Sequence, residues 1–108
     1  MVSDHYTYRV TWSPEDGQYV GLVAEFHSLS WLDGSQIDAL TGIRRVVDDV
    51  VRDLQTAGES VPTPFADRRY SGEFKLRVPP QLHRMLVIRA AEENVSLNRL
   101  INSKLVMT

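Results

Sequence analysis

The sequence predicts an α+β chain of two modules, and three observations carry that prediction. Apolar and polar residues alternate through the first 32 positions, a longer stripe at helical spacing follows over 36–57, and a lone alternating stretch at 71–78 precedes two short helical patterns. The expected order is β-β-β-α-β in the first module and β-α-α in the second, the second module being dimeric.

The first strand is "YTYRVTW". Tyr6, Tyr8, Val10 and Trp12 share one face, and Thr7, Arg9 and Thr11 the other. "SPEDG" has the Pro, Asp and Gly of a hairpin turn. "QYVGLVAEF" is the second strand, with Val20, Leu22, Ala24 and Phe26 on one face, and "LSWL" is a short third. A helix then spans 36–57, with Ser35 as N-cap and Asp38 three positions later. Ile37, Leu40, Ile43, Val47, Val50, Val51 and Leu54 form its apolar stripe. Arg44 with Asp48, Arg45 with Asp49, and Asp48 with Arg52 are spaced to pair along its exposed side. Gly58 stops the helix. "VPTPF" adds an edge strand, because its prolines cannot donate to a central ladder. Polar "ADRRYSG" reads as a linker, placing the domains at 1–66 and 72–108 with a linker at 67–71.

In the second module, Phe74, Leu76 and Val78 alternate with Glu73, Lys75 and Arg77, and Pro79 and Pro80 end the strand. A helix from about Gln81 to Glu93 carries Leu82, Leu86 and Ala90 at i+4 spacing, with Met85 beside them. Asn94 suits the left-handed residue that ends it, and Ser96 caps a second helix bearing Leu97, Leu100, Ile101 and Leu105.

Charge separates the modules. Residues 1–70 hold six Arg against eleven Asp or Glu, net -5, and residues 71–108 hold six Lys or Arg against three Glu, net +3. That asymmetry suggests different partners, one of them nucleic acid. With no cysteine, the chain has no disulfides, thiolate metal sites or thiol nucleophiles, and a reducing, cytoplasmic location fits. No apolar run reaches the roughly 20 residues a membrane span needs, and the N-terminus lacks signal-peptide character.

Strand–helix–helix in so short a module cannot bury a useful core alone. Two copies can, by pairing their strands antiparallel over the four helices. Glu73, Lys75 and Arg77 then face outward on a two-stranded ribbon, which fits the DNA major groove. The start of the second helix, with Ser96 and Asn98, can meet a backbone phosphate.

"GEFKLRVP…AEENVSLNRLI" resembles the ribbon-helix-helix fold of Arc- and MetJ-type repressors. The resemblance implies that Glu73, Lys75 and Arg77 read bases and that Val95–Asn98 clamp phosphate. Together with "YRVTWSPEDGQYVGLVAEFHSLSWLDGS", it makes the chain resemble the HicB family of antitoxins along nearly its full length. That implies an N-terminal partial RNase H-like domain that neutralises a HicA-like ribonuclease toxin, and a C-terminal domain that autorepresses the operon at operator DNA. A homodimer is implied, with a tetramer open. His27, Asn94 and Glu73 depart from the family's usual residues; a carboxylate at 73 disfavours phosphate but can accept from cytosine.

Chemistry of other kinds is poorly provided for. Asp4, Glu15, Asp16, Glu25, Asp33 and Asp38 would have to converge for two-metal hydrolysis, and only Glu25 is expected within a strand. His5, His27 and His83 are dispersed, with His83 beside the expected DNA face. Trp12 reads as core, and Trp31 as core or interface. No catalytic residue, metal ligand or cofactor is assigned, and the chain is read as a non-enzyme. The alternative is a ribbon-helix-helix regulator with a ligand-sensing or oligomerising N-domain and no toxin.

Overall fold

The computed structural model describes residues 1–106, so residues 107 and 108 of the expected second domain lie outside the described residues. The chain divides into two units, Met1–Tyr70 and Ser71–Thr108.

In unit 1, a 3-10 turn at Val2–His5 leads into β1 (Tyr8–Ser13), β2 (Gln18–Val23), β3 (Ser30–Asp33) and α1 (Gln36–Thr56). The sheet is antiparallel in the order β1-β2-β3. Gly17, at φ +62°, closes the β1–β2 turn by donating its N–H to the Ser13 carbonyl at 2.9 Å. Ser35 caps α1, its hydroxyl accepting from the Asp38 N–H at 3.0 Å. At the other end Gly58, at φ +71°, lets the Glu59 N–H reach back to the Leu54 carbonyl at 2.8 Å.

The face of β2 that meets α1 is not the one its apolar count suggests. Tyr8, Val10 and Trp12 of β1 stand opposite Val23, Gly21 and Tyr19 of β2. Gly21 and Val23 are buried, whereas Val20 and Leu22 are half-buried on the opposite face and Ala24 is exposed. Gly21 is the reason. A Cβ there would lie 2.6 Å from the Ala39 carbonyl oxygen and 2.8 Å from Ile43 Cγ2. At Gly42, a Cβ would fall 2.0 Å from Cδ1 of Trp31.

The core comprises Tyr6, Val23, Ile43, Val47 and Val51, with Phe26, Leu29 and Val61 packed against it. Tyr6 meets Phe26 edge-to-face at 5.3 Å. The buried stripe of α1 is Ala39, Gly42, Ile43, Val47 and Val51. Ile37, expected in that stripe, is 79% exposed, and Leu40 is also exposed. Trp12 is a further correction: it is 51% exposed and rests edge-on against Tyr19 at 5.0 Å, at the sheet's rim rather than in its core. The expected i,i+4 pairs give way to one tertiary partner and one i,i+3 pair within the helix. Arg44 bonds Asp4 and lies 5.4 Å above the Tyr8 ring, and Arg52 pairs with Asp49.

Residues 61–64 do not form the expected fourth strand. Pro62 and Pro64 have no N–H to donate, and the Pro62 carbonyl instead accepts from the Tyr6 hydroxyl at 2.7 Å. A 3-10 turn, Phe65–Asp67, follows. His5 and Asp67 pair at 2.8 Å, and Arg68 lies 4.2 Å from the Phe65 ring centroid.

Unit 2 contains α2 (Pro80–Glu92) and α3 (Leu97–Leu105). Pro80 occupies the first turn of α2, where a missing N–H is harmless. Asn94, at φ +56°, ends α2, with Val95 N–H reaching the Ala90 carbonyl at 3.0 Å. Ser96 caps α3 by accepting from the Arg99 N–H at 3.1 Å. The strand expected at 73–78 is not formed: among the described residues that segment pairs with no other strand. A strand is completed by a neighbour's backbone.

Gly21→Ala is expected to lower the stability of unit 1 by about 1–3 kcal/mol in denaturant unfolding, the range of overpacking. Gly42→Ala gains helix propensity but displaces the Trp31 ring, so it should lower Tm and red-shift Trp fluorescence. A Gly42→Ala protein more stable than wild type, with unshifted emission, would contradict the contact.

Candidate nucleic-acid interface

Unit 2 buries little by itself. Ala90 and Leu100 are its buried apolar residues. Leu82, Met85, Val87 and Ile88 of α2 are exposed, and Leu86 is half-buried. The unpaired segment is more open still: Phe74 is 78% exposed and Leu76 60%. A turn precedes it. Gly72 has φ +82°, and the Glu73 N–H donates to the Ser71 hydroxyl at 3.0 Å.

Phe74, Leu76 and Val78 line an open groove of about 780 Å³ whose floor comes from Leu86, Leu97, Ile101 and Leu105. Three of the five expected contact residues, Glu73, Arg77 and Asn98, line the same groove, together with His83. Lys75 is exposed but does not line it, nor does Ser96, whose hydroxyl is engaged at the cap. Asn102 also lines the groove and was not singled out from sequence. Its signal is its spacing of four from Asn98, which puts both amides on one face of α3.

The carboxylates of unit 1 do not converge. Among the described residues there is no group of three or more His, Cys, Asp or Glu placed to hold a metal. Glu25 lies beyond the end of β2 rather than within it. Its carboxylate accepts the Thr7 N–H at 2.9 Å, the Phe65 N–H at 3.0 Å and the Thr7 hydroxyl at 3.2 Å. Burial opposes its ionisation, but these donors outweigh burial and hold the carboxyl below its ordinary value. Glu25 is thus a clamp between the start of β1 and the segment after α1. Alternation could not reveal this, because its partners lie 18 and 40 residues away. Asp4 is likewise lowered, first by the N-terminal ammonium and then by Arg44. Burial pushes the Tyr8 hydroxyl up to about 12. A second hollow, of about 390 Å³, opens beside Thr7, Arg9, Leu22 and His27. No helix is long and apolar enough to cross a membrane among the described residues.

A folded-state carboxyl lowered below its ordinary 4.5 contributes stability that is full above that pH and lost as pH falls through the folded value. Wild-type Tm should therefore drop as pH falls below the ordinary 4.5. Glu25→Gln should have a lower Tm at neutral pH and a shallower acid loss. Parallel curves for the two proteins would remove Glu25 from the acid response.

A family model described as the HicB family matches residues 56–105, from the last turn of α1 through α3. The match covers less than half of the 108 residues, a narrower span than the sequence resemblance. No curated protein and no solved structure matches the chain. Over residues 56–105, the chain is similar to the HicB family of antitoxins.

Proposed function

We propose that this chain is the antitoxin of a HicA/HicB-type toxin–antitoxin pair and the repressor of its own operon. Residues 72–108 form a ribbon-helix-helix domain. Two copies pair their 73–78 segments antiparallel, so that Phe74, Leu76 and Val78 cover the groove over α2 and α3. Glu73, Lys75 and Arg77 project from the ribbon into the DNA major groove. Arg and Lys read guanine there, and Glu73 accepts from cytosine. The capped start of α3, with Ser96 and Asn98, lies on the phosphate backbone through its free N–H groups. Residues 1–66, of partial RNase H-like type, sequester the ribonuclease toxin, and 67–71 link the two domains. The mechanism is steric and electrostatic, with no cofactor.

One observation carries this reading. Phe74 and Leu76 are largely exposed at an open groove with an apolar floor, on a segment whose alternate positions are charged. Apolar side chains so placed call for a second surface, and the alternation fits a strand covered on one side. The family match over 56–105 supports the antitoxin assignment.

Lys75→Ala with Arg77→Ala is expected to weaken binding to the operon's own upstream DNA by more than about 100-fold in a mobility-shift assay, since each good base contact contributes roughly 1–3 kcal/mol. Far-UV CD should be unchanged. Normal binding by the double variant would mean that the ribbon is not the reader. Expression of the small reading frame adjacent to this one should arrest growth, and co-expression of this chain should restore it. No arrest and no complex would leave a DNA-binding dimer without a toxin.

A further inference from the structure

One end of the sheet in unit 1 combines exposed apolar residues with acidic ones. The register places Trp12 beside Tyr19 and Tyr19 beside Asp33. The β1–β2 turn, with Glu15 and Asp16, closes that end, and α1 begins three residues after Asp33. Apolar and acidic side chains therefore share one rim. Trp12 is 51% exposed, Ile37 79% and Leu40 40%. An exposed Trp is the kind of anchor that interface centres favour, and the two exposed aliphatic residues at the same sheet end add apolar area beside it.

The charge of this end is one-signed. From Val10 to Ile43 the chain contains no Lys or Arg, while Glu15, Asp16, Glu25, Asp33 and Asp38 are acidic. Of these, Glu25 is committed to Thr7 and Phe65. The other four stand at the turn, the end of β3 and the first turn of α1. The first cation along the chain after this span, Arg44, is bound to Asp4 and covers Tyr8. Such a surface repels phosphate and attracts a cationic one.

Resting on the antitoxin reading above, we propose that this rim, centred on Trp12, Ile37 and Leu40 and edged by Glu15, Asp16 and Asp38, is where a cationic, RNA-binding face of the toxin docks. The apolar centre supplies contact area, and the carboxylates match the Lys and Arg that a ribonuclease presents to RNA. Occupying that face denies it to RNA without any residue of this chain acting chemically.

The test uses the full chain and the product of the adjacent reading frame, with affinity measured by calorimetry. Glu15→Lys with Ile37→Glu alters a turn residue and a highly exposed position, so Tm and operator binding should match wild type. Toxin affinity should fall at least about tenfold, as for interface centres, and wild-type affinity should weaken with added salt. Where the pair lowers Tm, Ile37→Lys alone repeats the test. If wild type binds the toxin and both variants bind within about twofold of it, the rim is not the docking surface and the antitoxin reading stands. If wild type binds no product of the adjacent frame, that reading falls and this proposal with it.

Discussion

The closeness of α1 to the sheet is the constraint on which unit 1 depends. Gly21 leaves room for the Ala39 carbonyl and the Ile43 side chain, and Gly42 leaves room for the Trp31 ring. Close approach brings Ile43, Val47 and Val51 against Val23 and Tyr6. It also decides which face of β2 is inside, and hence which face of the whole sheet remains open. The segment after α1 is then held by Tyr6 through the Pro62 carbonyl and by Glu25 through the Phe65 N–H. Polar bonds here fix where the chain ends its first unit, beside the packing of helix on sheet.

The two units solve the problem of a small core differently. Unit 1 encloses a connected cluster from Tyr6 to Val51. Unit 2 buries Ala90 and Leu100 and leaves the apolar side chains of α2 and of residues 74 and 76 facing outward. Its helices are locally well specified, with Pro80 at the start of α2, Asn94 at its end and Ser96 at the start of α3. Local caps and uncovered apolar faces together are what the proposed pairing with a second chain would complete.

Much of this was legible in the sequence, where short-range chemistry decides. Ser35, Gly58, Asn94 and Ser96 each mark a helix end, and each acts there. The three strands and the α+β character follow from period-two alternation. What alternation cannot show is which of two apolar faces is inside. In "QYVGLVAEF" both faces carry apolar residues, and the decisive one is a glycine that has no side chain to count. The apolar stripe of α1 is narrower than the spacing implies for a related reason: the helix face turned to the sheet is set by small residues, Ala39 and Gly42, and Ile37 and Leu40 stand off that face. The segment at 61–64 looked like a strand because Val and Phe flank its prolines, but the Tyr6 hydroxyl claims its carbonyl. At the candidate interface, the shared groove of Glu73, Arg77 and Asn98 depends on how α3 packs near residue 77, which spacing along the chain does not specify.

The open segment after Ser71 also bears on the lifetime of the chain. Exposed backbone without ladder partners is the form that a protease binds and cuts. Cleavage there would part unit 1, with its own enclosed core, from the helices that follow. The proposed pairing of two chains through 73–78 would withdraw that form from attack, so degradation would slow as the concentration of the chain rises. Scarcity would then hasten removal, so that the level of the chain would respond to dilution through its turnover, whatever its promoter does.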